Sequence, residues 1–164
     1  QDGCKLMASS IDPAGRDLVE QRSFGWGLQA LPMETTSPGE DYTRADIELV
    51  AGKFGEIAGR DALYQDLKIA YSTGRSTDPL NLSFGFDGAR LIAEEDSPAL
   101  LRERLRAAAA VVCDADPRVR KVLDVQLGPQ NAPGARATAL EITVQFETIV
   151  GEQTTLTVQG GSGG

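Results

Sequence analysis

The chain has 164 residues, 41% of them hydrophobic, and a formal net charge of −8. That length suits one domain with a core of its own, needing no disulfide or metal staple. No apolar run approaches the ~20 residues of a membrane-spanning helix, and the acidic balance repels phosphate backbones, so neither membrane nor nucleic acid is an expected partner.

In chain order, residues 1–45 hold Pro13, Pro32 and Pro38 among glycines and polar clusters such as Thr35-Thr36-Ser37-Pro38-Gly39. They read as an extended N-terminal arm with little regular structure of its own. Phe24-Gly25-Trp26-Gly27-Leu28 puts large apolar groups into that arm, including the only tryptophan, so the arm is expected to dock on its own domain or on a neighbour. Asp46 to Ala51 alternates, Gly52-Lys53-Phe54-Gly55 offers a turn and Glu56-Ile57-Ala58 returns, which predicts a β-hairpin over 46–58. Leu63, Leu67 and Tyr71 recur every four residues with Ala70 beside them. That spacing predicts an amphipathic helix over 61–72, with Asp61 as N-cap and Gly74 as stop. Residues 73–96 read as a long loop with a few short extended pieces. Ser97-Pro98 then opens a second helix, Ser97 as cap and Pro98 at the first helical position. Its stripe is Leu101, Leu105, Ala108 and Val112, with Leu100, Ala107 and Val111 alongside. Pro117 ends any continuation and biases Asp116 to extended geometry. Residues 119–127, 140–147 and 154–158 alternate in the manner of half-buried antiparallel strands, the last of them short, and 159–164 read as a flexible Gly/Ser tail. The predicted fold class is α+β: two main helices packed on an antiparallel β-sheet, with a β-hairpin and an extended N-terminal arm, the domain proper occupying 46–158.

Chemistry is harder to find. There is no histidine, which removes the commonest general base and metal ligand and every Ser-His or Cys-His mechanism. Cys4 and Cys113 have no metal or redox spacing, and Cys113 beside Val111 and Val112 reads as a small buried hydrophobe. Gly25-Trp26-Gly27 and the glycines from Gly52 to Gly59 lack the rest of any nucleotide-binding pattern, and turn chemistry accounts for them. Two carboxylates suffice for glycoside hydrolysis, and Glu94-Glu95-Asp96 and Asp114 with Asp116 are the candidates. The first group precedes a helix N-terminus, where the dipole favours negative charge. The second sits on a connection that reads as exposed, whereas a working acid needs burial to raise its pKa. The expectation is therefore no catalytic residue, no cofactor and no metal. Arg102, Arg104, Arg106, Arg118, Arg120 and Lys121 make a locally basic stretch. It reads either as solvated helix and strand faces or as a surface for an acidic or carbonyl-rich partner.

Four features in order carry a family resemblance. They are Leu63-Tyr64-Gln65-Asp66-Leu67 leading to Tyr71-Ser72-Thr73-Gly74, then Phe84-Gly85-Phe86-Asp87-Gly88, then the long helix, then Asp116-Pro117-Arg118-Val119 between that helix and the next strand. From about residue 61 to 158 the chain resembles the baseplate wedge family of contractile tails, the gpW-like or lysozyme-like wedge family, to which a type VI secretion baseplate subunit is related. The family pattern at the last feature is Glu-Pro-Arg, so Asp116 is one methylene shorter here. The resemblance implies a structural subunit without cofactors, in six copies per baseplate, located in the virion tail and assembled in the bacterial cytoplasm. It would join other wedge proteins to the first sheath ring and help initiate sheath assembly, with tube or hub proteins as further candidate partners. Asp116, Pro117, Arg118 and Arg120 are then candidate partner-binding residues. The planar fork of Arg118 suits carboxylates or carbonyls on a partner, or alternatively an internal pairing with Asp116 or Asp114. On the docking reading, Arg118→Ala abolishes wedge co-purification and leaves the fold intact. The sheet, through a free edge at 138–148 or 152–158, would accept a strand from the sheath. The rival class is a carboxylate-dependent cell-wall glycosidase.

Overall fold

Three antiparallel strands supply one wall of the core: β7 (Val119–Leu127), β8 (Ala139–Thr148) and β9 (Gln153–Gly161), in the order β7-β8-β9. The computed structural model describes residues 13–32, 45–47, 49–128 and 139–161. Along β8 the alternation seen in the sequence is the alternation of burial. Ile142, Val144, Phe146 and Thr148 are buried, while Glu141 and Gln145 are exposed. A one-residue slip would reverse that set, so the period of two pins the register.

Two helices cover the apolar face. α2 (Arg60–Ser72) buries Ala62, Leu63, Leu67, Ala70 and Tyr71, and α4 (Pro98–Asp114) buries Leu105, Ala109 and Cys113. These sets fall at i, i+4 and i+8 or their neighbours, the stripe a helix must present to a sheet. On α4 the stripe is rotated from the expected one, with Ala109 and Cys113 buried beside Leu105, Leu101, Ala108 and Val112 partly buried, and Leu100 and Val111 exposed. α4 lies over β7 and touches β8, and α2 packs beside α4 and reaches β9. Leu63, Leu67, Leu105, Val144 and Phe146 are almost completely buried at the centre, each side chain contributing about 2–3 kcal/mol of transfer free energy. Tyr71 closes one end. Its hydroxyl donates to the Ala109 carbonyl at 2.7 Å, and its ring meets Phe86 edge-on at 5.8 Å. The α+β class and the helices-on-sheet architecture are thus those expected from the pattern.

The N-terminal part differs from the expectation. Residues 13–32 are regular: α1 (Pro13–Phe24), β1 (Trp26–Leu28) and β2 (Ala30–Pro32). α1 was hidden because it has almost no apolar stripe. Of its described side chains only Glu20 and Phe24 are buried, and Leu18 and Val19 point outward. Residues 1–12 and 33–44 lie outside the described residues. The hairpin over 46–58 is also divided. β3 (Ala45–Ile47) pairs with β2, β4 (Leu49–Val50) forms a tight hairpin with β5 (Lys53–Phe54), and β6 (Glu56–Ala58) pairs with β1. The ribbon therefore closes with a strand of the arm, a long-range pairing that local alternation does not encode. The side chain of Gln65 on α2 holds the point where β1 gives way to β2. It accepts from the Ala30 N–H and donates to the Leu28 carbonyl, both at 2.8 Å.

Four smaller differences remain. The loop 73–96 contains a seven-residue helix, α3 (Gly88–Glu94), anchored by Leu91. β9 runs on through Gly161, opposite Ala139, instead of ending before a flexible tail at 159, because ladder hydrogen bonds need no side chain. The cap of α2 is Gly59, at φ +65°, and Asp61 sits in the first turn, where its charge still favours the helix dipole. Ser97 holds the cap position of α4 ahead of Pro98 but makes no side-chain cap bond.

Candidate docking site at the helix-to-strand corner

α4 stops three residues before Pro117, and the chain turns into β7 through Ala115-Asp116-Pro117-Arg118. The turn is built by its own polar groups. Asp116 Oδ1 accepts from the Arg118 backbone N–H at 2.9 Å, an Asx turn. The Asp116 carbonyl accepts from the Val119 N–H at 2.9 Å. The Arg118 carbonyl accepts from the Ile149 N–H at 3.0 Å, tying the corner to the β8–β9 turn.

The Arg118 side chain lies inward. It is 19% exposed and grips Asp116 in a fork, Nε to Oδ1 at 2.9 Å and a terminal nitrogen to Oδ2 at 2.6 Å. Its other terminal nitrogen meets Asp66 Oδ2 on α2 at 2.9 Å and the Phe24 carbonyl at the end of α1 at 3.1 Å. Of the two internal partners foreseen for Arg118, Asp116 is used; Asp114 is exposed and not among its partners. Asp66 was not foreseen, since nothing local links an α2 carboxylate to a residue fifty positions later. One arginine therefore joins α1, α2 and the corner. The expectation that Arg118→Ala leaves the fold intact is revised accordingly, because that change strips a carboxylate only 13% exposed of its counter-charge.

Asp116 is not the exposed acid that its place in a connection suggested. Burial pushes its carboxyl upward, but the hydrogen bonds from the Arg118 side chain and backbone and the guanidinium charge outweigh burial and hold it below the usual carboxylate range. A group so held stays ionised and is a poor general acid. Among the other candidate acids, Glu95 pairs with Arg104 at 3.1 Å and Glu94 with Arg90 at 3.5 Å, and Asp96 and Asp114 are exposed.

Beside the corner is an open groove of about 380 Å³ between α2, the loop 73–86 and the end of α4. Ile69, Phe84, Val111, Val112 and Pro117 give it apolar walls, with Asp66, Arg75, Asp116 and Arg118 among its polar groups. Val111 is half exposed there. The loop that forms one wall is held by Asx and reverse turns: Leu80 N–H to Asp78 Oδ1 at 2.8 Å, and Phe84 N–H to the Asn81 carbonyl at 3.0 Å. Gly85 sits at φ +100°, and a Cβ there would come within 2.6 Å of the Thr73 carbonyl oxygen, so this close approach requires glycine.

The basic stretch is mostly spent within the chain. Arg102 donates to the Leu127 carbonyl at 3.2 Å, Arg106 pairs with Glu103 at 3.3 Å, and Arg120 pairs across strands with Glu147 at 3.1 Å. Arg120 stays exposed on the outer face of β7. Cys113, as expected, is a buried core residue, and burial, aided by the charges of Asp116 and Asp114, pushes its thiol up to about 12.

Of the two edges of the three-stranded sheet, β7 is interrupted by two register shifts, between Val119 and Lys121 and between Val122 and Asp124. β9 pairs with β8 in uninterrupted register from Gln153 to Gly161. The free-edge candidate at 138–148 is the central strand, so the regular edge belongs to β9.

No family model matches the chain, and no curated protein matches it in sequence. In three dimensions the chain is similar to the crystal structure of a putative tail lysozyme from Geobacter sulfurreducens. The TM-score is 0.50 at 14% identity, over 63% of this chain and 91% of that one. The likeness is one of fold, and it relates this α+β body to that of a tail-related protein.

Proposed function

We propose that the chain is a structural baseplate wedge subunit of a contractile phage tail or phage-tail-like injection system, and that it is not an enzyme. The observation that carries the proposal is an apolar groove at the Asp116-Pro117-Arg118 corner, in a fold like that of a tail-related protein. The groove and corner take another wedge protein. Pro117 supplies wall, Asp116 and Arg118 hold that wall in place against α1 and α2, and Arg120 lies exposed nearby in sequence on β7. The β9 edge takes a strand from the first sheath ring, since a regular unbulged edge is the one that accepts a new ladder. Six copies around the tube, tube or hub contacts, and assembly in the bacterial cytoplasm before incorporation into the tail complete the reading.

The likeness to a tail lysozyme favours a second reading, a carboxylate-dependent cell-wall glycosidase. Asp116, one of the two acids that line the groove, argues against it, because Arg118 keeps it ionised.

Val111→Glu tests the proposal. Val111 is half exposed on α4, so the change leaves stability within about 0.5 kcal/mol while placing a charge in the groove. Co-expressed with the neighbouring tail genes, the variant is expected to lose co-purification with wedge proteins, and the wild-type preparation to leave peptidoglycan intact. Undiminished co-purification of the variant would remove the groove from the assembly, and peptidoglycan turnover lost on Asp116→Asn would establish the glycosidase.

A further inference from the structure

The only tryptophan of the chain faces solvent. Phe24, two residues earlier, is buried in the core, but Trp26 is 74% exposed. Its setting is a defined surface and not a loose loop. β1 and β6 pair with Trp26 opposite Ala58, Gly27 opposite Ile57 and Leu28 opposite Glu56. Directly opposed residues share a face and successive residues alternate. Trp26, Leu28, Glu56 and Ala58 therefore occupy one face, and all four are exposed. Gly27 and Ile57 occupy the other and are half-buried.

That outward face has a particular chemistry. Two large apolar side chains and an alanine surround one carboxylate. Trp26 and Glu56 are diagonal neighbours across the ribbon, close enough for one long side chain to touch both. Among the described residues neither side chain has a hydrogen bond, ion pair or ring contact within the chain. An indole face attracts a cation, the carboxylate beside it adds charge, and apolar flanks exclude water around both. The surrounding chain is acidic, at −8, which disfavours an anionic partner and steers a cationic one. A two-fold pairing of copies through this face would bring Glu56 toward its own equivalent.

We propose that the Trp26–Leu28–Glu56–Ala58 face is a protein contact whose partner is a segment of another protein presenting one Arg or Lys among apolar side chains. The cation stacks on Trp26 and pairs with Glu56, and the apolar neighbours cover Leu28 and Ala58. This contact is separate from the corner groove and does not depend on what that groove binds.

The test places the photo-crosslinker p-benzoylphenylalanine at position 28 of the full chain, on the same face and beside an intact Trp26, in its own host cell. The expected result is an intermolecular cross-link whose mapped peptide carries an Arg or Lys within a few residues of apolar ones. Glu56→Lys should lower the yield about tenfold or more, and changing the mapped cation to Glu in that background should restore it. The melting curve of purified Glu56→Lys should match the wild type, since the replaced side chain is exposed and has no partner among the described residues. Cross-links only within the chain, to a second copy, to lipid or to an acidic segment would overturn the proposal. So would a yield indifferent to Glu56→Lys.

Discussion

Arg118 carries more structural weight than its place in a short connection suggests. Its fork is matched to Asp116, and its remaining nitrogen reaches a carboxylate on α2 and a carbonyl ending α1. Replacing it by alanine leaves Asp116 charged and largely buried, at a cost of about 3 kcal/mol. Asp116 is held below the ordinary carboxylate value in the folded state. Its contribution is therefore complete above about pH 4 and fades as pH falls through the depressed value. Arg118→Ala should be about 3 kcal/mol less stable at neutral pH and should show a shallower loss of stability below about pH 4. Urea denaturation across that range measures both, and parallel pH profiles would show that Arg118 does not hold Asp116. Asp116, Pro117 and Arg118 could be picked out in the sequence through their resemblance to a family's Glu-Pro-Arg pattern between a helix and a strand; local chemistry marked only Pro117, as the end of the helix. Asp66 and Phe24 could not, since their relation to Arg118 exists only after α1 and α2 have packed.

At the scale of elements, those that were legible bury a periodic stripe. α2, α4 and β8 each present apolar residues at the spacing their geometry requires. α1 and α3 were not legible, because one buries a glutamate and a phenylalanine and the other chiefly Leu91. Glu20 is tolerated there because Arg60 neutralises it at 2.9 Å while also pairing with Glu152. The loop 73–86 is ordered by turns and by the passage of Gly85 beside Thr73 and Gly74. Gly85→Ala combines a positive φ with a backbone clash and should cost about 2–4 kcal/mol. A thermal melt measures this, and a melt unchanged within 1 °C would mean the loop shifts without cost. Because this loop forms a wall of the groove, the variant should also weaken wedge co-purification.

The molecule as a whole is one core shared by the sheet, α2 and α4, into which Phe24 carries the N-terminal segment. Cys113 lies at its centre with no exposed surface and a thiol pushed up to about 12, so only opening of that core makes it reactive. In a Cys4→Ser background, labelling of Cys113 by a thiol reagent should be slower than in denaturant by a factor near the global unfolding constant. Rapid labelling of the native protein would mean that α4 opens independently of the sheet. Composition alone determined that histidine chemistry is absent, and periodicity alone determined the α+β class, because a buried stripe must repeat with its element. Only the tertiary structure decided that residues 13–32 form a helix and two strands, that β9 is the regular edge, that Arg118 is an internal clasp beside a groove and that Trp26 faces outward. Each of those depends on pairings between segments tens of residues apart, and a linear pattern does not record which distant partner will satisfy a given backbone or charge.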